Sequence, residues 1–139
     1  MPYFSTAFYI LSLIVGHSSF AQPNCNFNNL IGEWRQVKSI AGIHPNIDSL
    51  KHLAHASNKT IGKLEFRSDS TYYYHFLDGA SKQTKRFSVD LTQCEIILGQ
   101  KRRAKTKSNL EIIYMDSQIL IFKEDNNPKG YITHLLVKT

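Results

Sequence analysis

Charge is absent from the start of this chain: no Asp, Glu, Lys or Arg precedes Glu33. Cysteine is scarce, at two residues in 139, and no CxxC pair occurs, so a zinc ribbon and a thioredoxin-like redox site have no basis. Gly-x-Ser-x-Gly and glycine-rich phosphate loops are missing too, the seven glycines being spread mainly through turns. Neither a nucleophile elbow nor a nucleotide cradle is therefore encoded. Apolar runs stay short, since Phe4 to Val15 falls well below the roughly 20 residues that a membrane-spanning helix needs. The length itself excludes a multidomain enzyme or a repeat array.

What is present argues for a folded domain. A chain that is 42% hydrophobic, 12% aromatic and only 20% charged has ample apolar area to bury. The apolar opening followed by Ser19-Phe20-Ala21, with small residues at both cleavage-determining positions, predicts a secretory signal peptide over 1–21 cut after Ala21. Asn24 before Cys25 does not suit a lipid-attachment site. The expected mature chain, 22–139, is secreted or periplasmic, has no transmembrane segment, and carries the whole net charge of +6. Both cysteines fall in it, and an even thiol count in an exported chain predicts a Cys25–Cys94 disulfide. Closing a loop of about 70 residues removes roughly 4 kcal/mol of unfolded-state entropy.

Along the mature part the apolar period is two, in runs of five to ten residues parted by turn signals. The strands expected are Gly32–Ile40, Thr60–Arg67, Thr71–Leu77, Lys82–Leu91, Cys94–Gln100, Leu110–Met115, Ile119–Lys123 and Tyr131–Lys138. Ser68-Asp69-Ser70, Asp78-Gly79 and the Asp125 to Gly130 cluster supply tight turns. Only the first link is long. There Asn46 or Asp48 can cap a short helix bearing Ile47, Leu50 and Leu53 at three-residue spacing, expected to lid one end. Short links favour antiparallel neighbours, and closure removes exposed edges. The predicted fold is all-β: a single eight-stranded antiparallel up-and-down barrel with a short helix after the first strand.

Leu30-Ile31-Gly32-Glu33-Trp34 opening the first strand, the long first loop and the eight-strand rhythm resemble the lipocalin-like domains of exported bacterial proteins. The likeness covers nearly all of 27–139 and rests on the Gly-x-Trp of Gly32 and Trp34. It implies that Trp34 closes the barrel floor and packs on a basic residue near the C-terminus, for which Lys138 is the match.

An eight-stranded barrel is just wide enough to be filled by side chains or to hold one small ligand. The inward candidates are Leu64, Phe66, Tyr72, Tyr74, Phe76, Phe87, Val89, Ile96, Leu98, Ile112 and Tyr114. Of these, Phe66, Tyr72, Tyr74, Phe76, Phe87, Ile112 and Tyr114 are the expected ligand contacts, although a packed core and a cavity call for the same lining. Lys82, Lys85, Arg86, Lys101, Arg102 and Arg103 form a basic rim expected at one end, set up for an anionic headgroup or an acidic surface. A solvated face that keeps an exported protein soluble explains the same residues. Nucleic acid is not expected as a partner of an exported chain. His52 and His55, with His44 nearby, share helical spacing, but no carboxylate or Cys completes a metal-ligand pattern, so no metal or cofactor is predicted. The expectation is a binding protein without catalysis, for a small hydrophobic or anionic amphiphilic ligand. A filled barrel acting through its basic rim is the alternative.

Overall fold

Alternating segments bounded by turn residues become strands because the pleat sends successive side chains to opposite faces. The structure, a computed structural model, describes residues 25–42, 46–77, 79, 82–99, 109–125 and 128–139, with the backbone alone over 82–85. The expected signal segment, His44, Lys101, Arg102 and Arg103 lie outside the described residues. In chain order the elements are α1 (Phe27–Leu30), β1 (Gly32–Ala41), α2 (Ile47–Ala56), β2 (Gly62–Phe66), β3 (Thr71–His75), β4 (Lys82–Asp90), β5 (Glu95–Leu98), β6 (Asn109–Met115), β7 (Ile119–Asp125) and β8 (Tyr131–Lys138). Each strand pairs antiparallel with the next and β8 returns to β1, so the barrel is closed. Closure leaves no ladder edge for another chain to extend.

Antiparallel pairing gives the barrel two distinct ends. Gly32 at the start of β1 stands opposite Phe66 at the end of β2, and Lys138 at the end of β8 lies opposite Trp34, which together define the floor. Ala41, His75, Lys82 and Asp125 stand at the other end, the mouth. A one-turn helix, α1, precedes β1 at the floor, with Asn26 Oδ1 accepting from the Asn28 amide at 2.9 Å. The disulfide between Cys25 and Cys94, Cα atoms 5.7 Å apart, ties this segment to the turn before β5. Among the described residues no helix is long and apolar enough to cross a membrane.

Two apolar clusters sit on opposite sides of the wall. Inside, Trp34, Leu64, Phe66, Phe87, Ile96, Ile112, Leu120 and Leu136 are buried together. Outside, Val37, Ile119, Ile121 and Leu135 are covered by Leu50 and Ala54 of α2. The helix therefore buttresses the wall of β1, β7 and β8, which corrects the expected lid. Its buried stripe is Leu50 and Ala54, a four-residue step, while Leu53 is left 39% exposed. At 3.6 residues per turn, an unbroken three-residue spacing drifts off the covered face. Asn46 is the residue that caps α2, its Oδ1 accepting from the Ser49 amide at 3.0 Å.

A second correction concerns Tyr114. The β6–β7 register slips between Ile112 and Tyr114, so Ile112 faces Phe122 inside while Tyr114 stands opposite Ile121 in the outer cluster. One extra residue in a strand reverses the face of everything beyond it. Tyr114 then serves the turn after β6, donating its hydroxyl to Asp116 Oδ2 at 2.8 Å. The other carboxylate oxygen of Asp116 accepts from the amides of Gln118 at 2.7 Å and Ile119 at 2.6 Å. Burial alone would push this carboxyl up, but those amides and the Tyr114 hydroxyl outweigh it and hold Asp116 below its ordinary value.

Candidate functional site

At the floor a buried indole and a lysine fill the end of the barrel, and an open surface groove of about 390 Å³ runs outside them past Gly32, Glu33 and Arg67. Trp34 is fully buried and its indole N–H donates to the Leu30 carbonyl at 2.8 Å. The Lys138 ammonium lies 4.8 Å from the centre of the Trp34 ring and donates to the Asn29 and Ile31 carbonyls at 2.9 and 2.7 Å. Its burial lowers the Lys138 pKa from the ordinary value. Gly32 has φ +129°, and a Cβ there would fall 2.9 Å from Lys138 Cε, so only glycine lets the lysine cross the floor. Above them Phe66 packs edge-on against Phe87 at 5.1 Å, and Phe87 stacks on Phe27 at 5.9 Å. Phe66, Phe87 and Ile112, three of the expected ligand contacts, are spent in this packing.

The mouth half is different, and sequence reasoning did not single it out. Gln36 and Ser39 of β1 meet His134 of β8 and Glu124 of β7 there. The Gln36 side-chain amide donates to Ser39 Oγ and to His134 Nδ1, each at 2.9 Å. Ser39 Oγ is also 2.9 Å from His134 Nδ1. An Nδ1 that accepts leaves the imidazole proton on Nε2, which lies 2.8 Å from Glu124 Oε2 and donates to it. The Phe122 ring braces the imidazole, with centroids 5.0 Å apart. Ser39 is placed for this by the register slip between Gln36 and Lys38, which returns it to the inner face opposite His134.

Below this polar ring lies a cavity of about 90 Å³ lined by Leu64, Leu98, Leu110 and Phe122 on its apolar side and by Gln36, Tyr72, Tyr74, Glu124 and His134 on its polar side. Tyr74 Oη reaches Gln36 Oε1 at 3.5 Å. Gly62 makes room for it, since a Cβ there would stand 2.5 Å from that phenol oxygen. Tyr72 is only 8% exposed, yet its hydroxyl has no hydrogen-bond partner among the described residues. Burial, with smaller contributions from Tyr74 and Glu124, pushes the Tyr72 phenol above its ordinary pKa, so it stays a protonated donor.

Of the seven expected contacts, Tyr72 and Tyr74 alone line this cavity. Phe76 is 44% exposed at the mouth, its ring edge-on to Tyr74 at 4.6 Å. The period-two pattern that placed it inward stops where β3 ends at His75. Of the basic run, only Lys82, Lys85 and Arg86 fall among the described residues. Lys82 pairs with His75, Lys85 with Tyr72 and Arg86 with Thr71, so these positions spread along the length of β3. Within β4 these three positions occupy the half nearest the mouth. Arg86 is exposed, and its carbonyl accepts from the Gly99 amide. His52 and His55 are exposed on α2, and no three His, Cys, Asp or Glu side chains gather for a metal ion among the described residues.

The missed residues had one signal. Gln36, Glu124 and His134 are polar side chains in the inward series of Trp34, Phe122 and Leu136, and a barrel keeps such groups only where something satisfies them. No family model matches the chain, and no curated protein matches it in sequence.

Proposed function

We propose that this is an exported, lipocalin-like binding barrel that takes one small molecule, or the end of a longer amphiphile, at its mouth. One observation carries the reading: the hydroxyl of the buried Tyr72 has no partner among the described residues and opens onto a cavity of about 90 Å³. Buried phenols find partners, and an apolar pocket with a few convergent polar groups is the usual form of a ligand site. Export is supported by the disulfide and by the signal-like start. The cavity volume sets the scale. It matches about three waters at liquid density and lies below the roughly 300 Å³ at which drug-sized pockets begin, so a bulky ligand would have to leave most of its length outside.

Native mass spectrometry of the purified protein, against the same sample denatured, tests this. The expected result is a small bound mass lost on denaturation and absent from Leu110→Phe, which fills the cavity, with unchanged circular dichroism. A wild-type protein that carries no bound mass and takes up no small organic probe would overturn the reading. The function would then pass to the filled barrel acting through its positive charge, whose signature is association weakened by salt.

A further inference from the structure

The lining also selects the chemistry of the ligand. Resting on the binding role proposed above, we infer that the mouth cavity recognises a short apolar molecule bearing one uncharged hydrogen-bond acceptor, a carbonyl or an ether-like oxygen, held by the Tyr72 hydroxyl. The polar groups around the cavity divide by what they still offer. Both Gln36 amide contacts go to Ser39 and His134. The His134 ring uses one nitrogen toward Gln36 and Ser39 and the other toward Glu124. Tyr74 leans on Gln36 Oε1. That leaves the Tyr72 O–H as the donor without a protein acceptor among the described residues, more than nine-tenths buried and facing the space.

Charge narrows the choice further. Among the described side chains that line the cavity none is Lys or Arg, and the one carboxylate among them is Glu124. An anionic ligand would place a second negative charge beside that carboxylate, with no cation among the described lining side chains to offset it. A wholly apolar ligand would bury the Tyr72 hydroxyl unpaired, which costs about 1–3 kcal/mol. A cationic ligand would bring only donors and leave the Tyr72 proton without an acceptor. An uncharged acceptor on a short chain satisfies the phenol and lays its methylenes on Leu64, Leu98, Leu110 and Phe122. The class differs from the anionic amphiphile that the basic rim suggests.

The test is an NMR titration of the purified protein with butanone, butyrate and butylammonium, three probes of similar length that differ in the polar end. Butanone should bind at least tenfold more tightly than either ion. Tyr72→Phe should weaken butanone about tenfold, the equivalent of about 1.4 kcal/mol, and Tyr73→Phe, on the outer face under Arg67, should leave it unchanged. Equal or tighter binding of either ion, or an unaltered Tyr72→Phe titration, overturns the inference while leaving a binding cavity in place. Failure of all three probes to shift any mouth resonance overturns both.

Discussion

The floor and the mouth of this barrel use the same eight strands to opposite ends. At the floor, polar side chains bond to backbone: the Trp34 indole to Leu30 and the Lys138 ammonium to Asn29 and Ile31. Backbone acceptors are fixed by the ladder and by α1, so these bonds hold one geometry, and the disulfide holds the segment that bears them. At the mouth, side chains bond to side chains, with Gln36, Ser39, His134 and Glu124 satisfying one another. Such a ring is rigid only while every member is satisfied. The difference teaches where stability and recognition have been separated: the floor's polar side chains are spent on backbone, while the cavity beneath the mouth ring keeps one phenol without a described partner, that of Tyr72, whose backbone stands opposite Phe66 toward the floor.

The largest effect should come from breaking the floor. Trp34→Ala removes a fully buried indole, its bond to Leu30 and the ring beneath Lys138. A loss of about 4 kcal/mol is expected, read as a fall in the urea midpoint at constant slope. A loss below about 1 kcal/mol would mean that the floor is not where stability resides.

The next effect lies outside the barrel lumen, at the turn between β6 and β7. Asp116→Ala leaves the Gln118 and Ile119 amides and the Tyr114 hydroxyl without their acceptor, for an expected cost of about 1–2 kcal/mol. Because folding holds this carboxyl below its ordinary 3.8, its contribution is full above the unfolded carboxylate range and is lost as pH falls through the folded value. Denaturation curves of wild type and Asp116→Ala should therefore stay a constant distance apart near neutrality and converge in acid. A gap that widens on acidification would contradict the arrangement.

Strand number, barrel closure and the helix after the first strand were legible because they follow from alternation and turn chemistry, which are local. The slips at Gln36/Lys38 and Ile112/Tyr114 were not, since a bulge is decided by the partner strand and leaves no mark in its own. The first turns Ser39 inward and the second turns Tyr114 outward, so both the composition of the mouth and the error over Tyr114 trace to bulges. The mouth ring joins Gln36 to His134, 98 positions apart, a pairing that register creates and spacing does not announce. Trp34 was readable at the floor because a resemblance supplied the expectation, and Lys138 because it is the basic residue near the end of the last strand.

The smallest expected change sharpens the comparison most. Removing a buried tyrosine hydroxyl that is bonded within the protein costs about 1 kcal/mol, because it strands a partner. Tyr72 strands none among the described residues, so Tyr72→Phe should leave thermal stability within about 0.5 kcal/mol of wild type or raise it, since a desolvated polar group is removed from an apolar wall. The same substitution is the one expected to weaken the ligand. A group that costs nothing to remove from the fold and much to remove from binding is a group kept for recognition, and thermal melts beside the butanone titration measure both sides of that statement on one variant. If Tyr72→Phe instead destabilised the protein by more than about 1 kcal/mol, the hydroxyl would belong to the architecture, and the mouth would differ from the floor in composition but not in purpose.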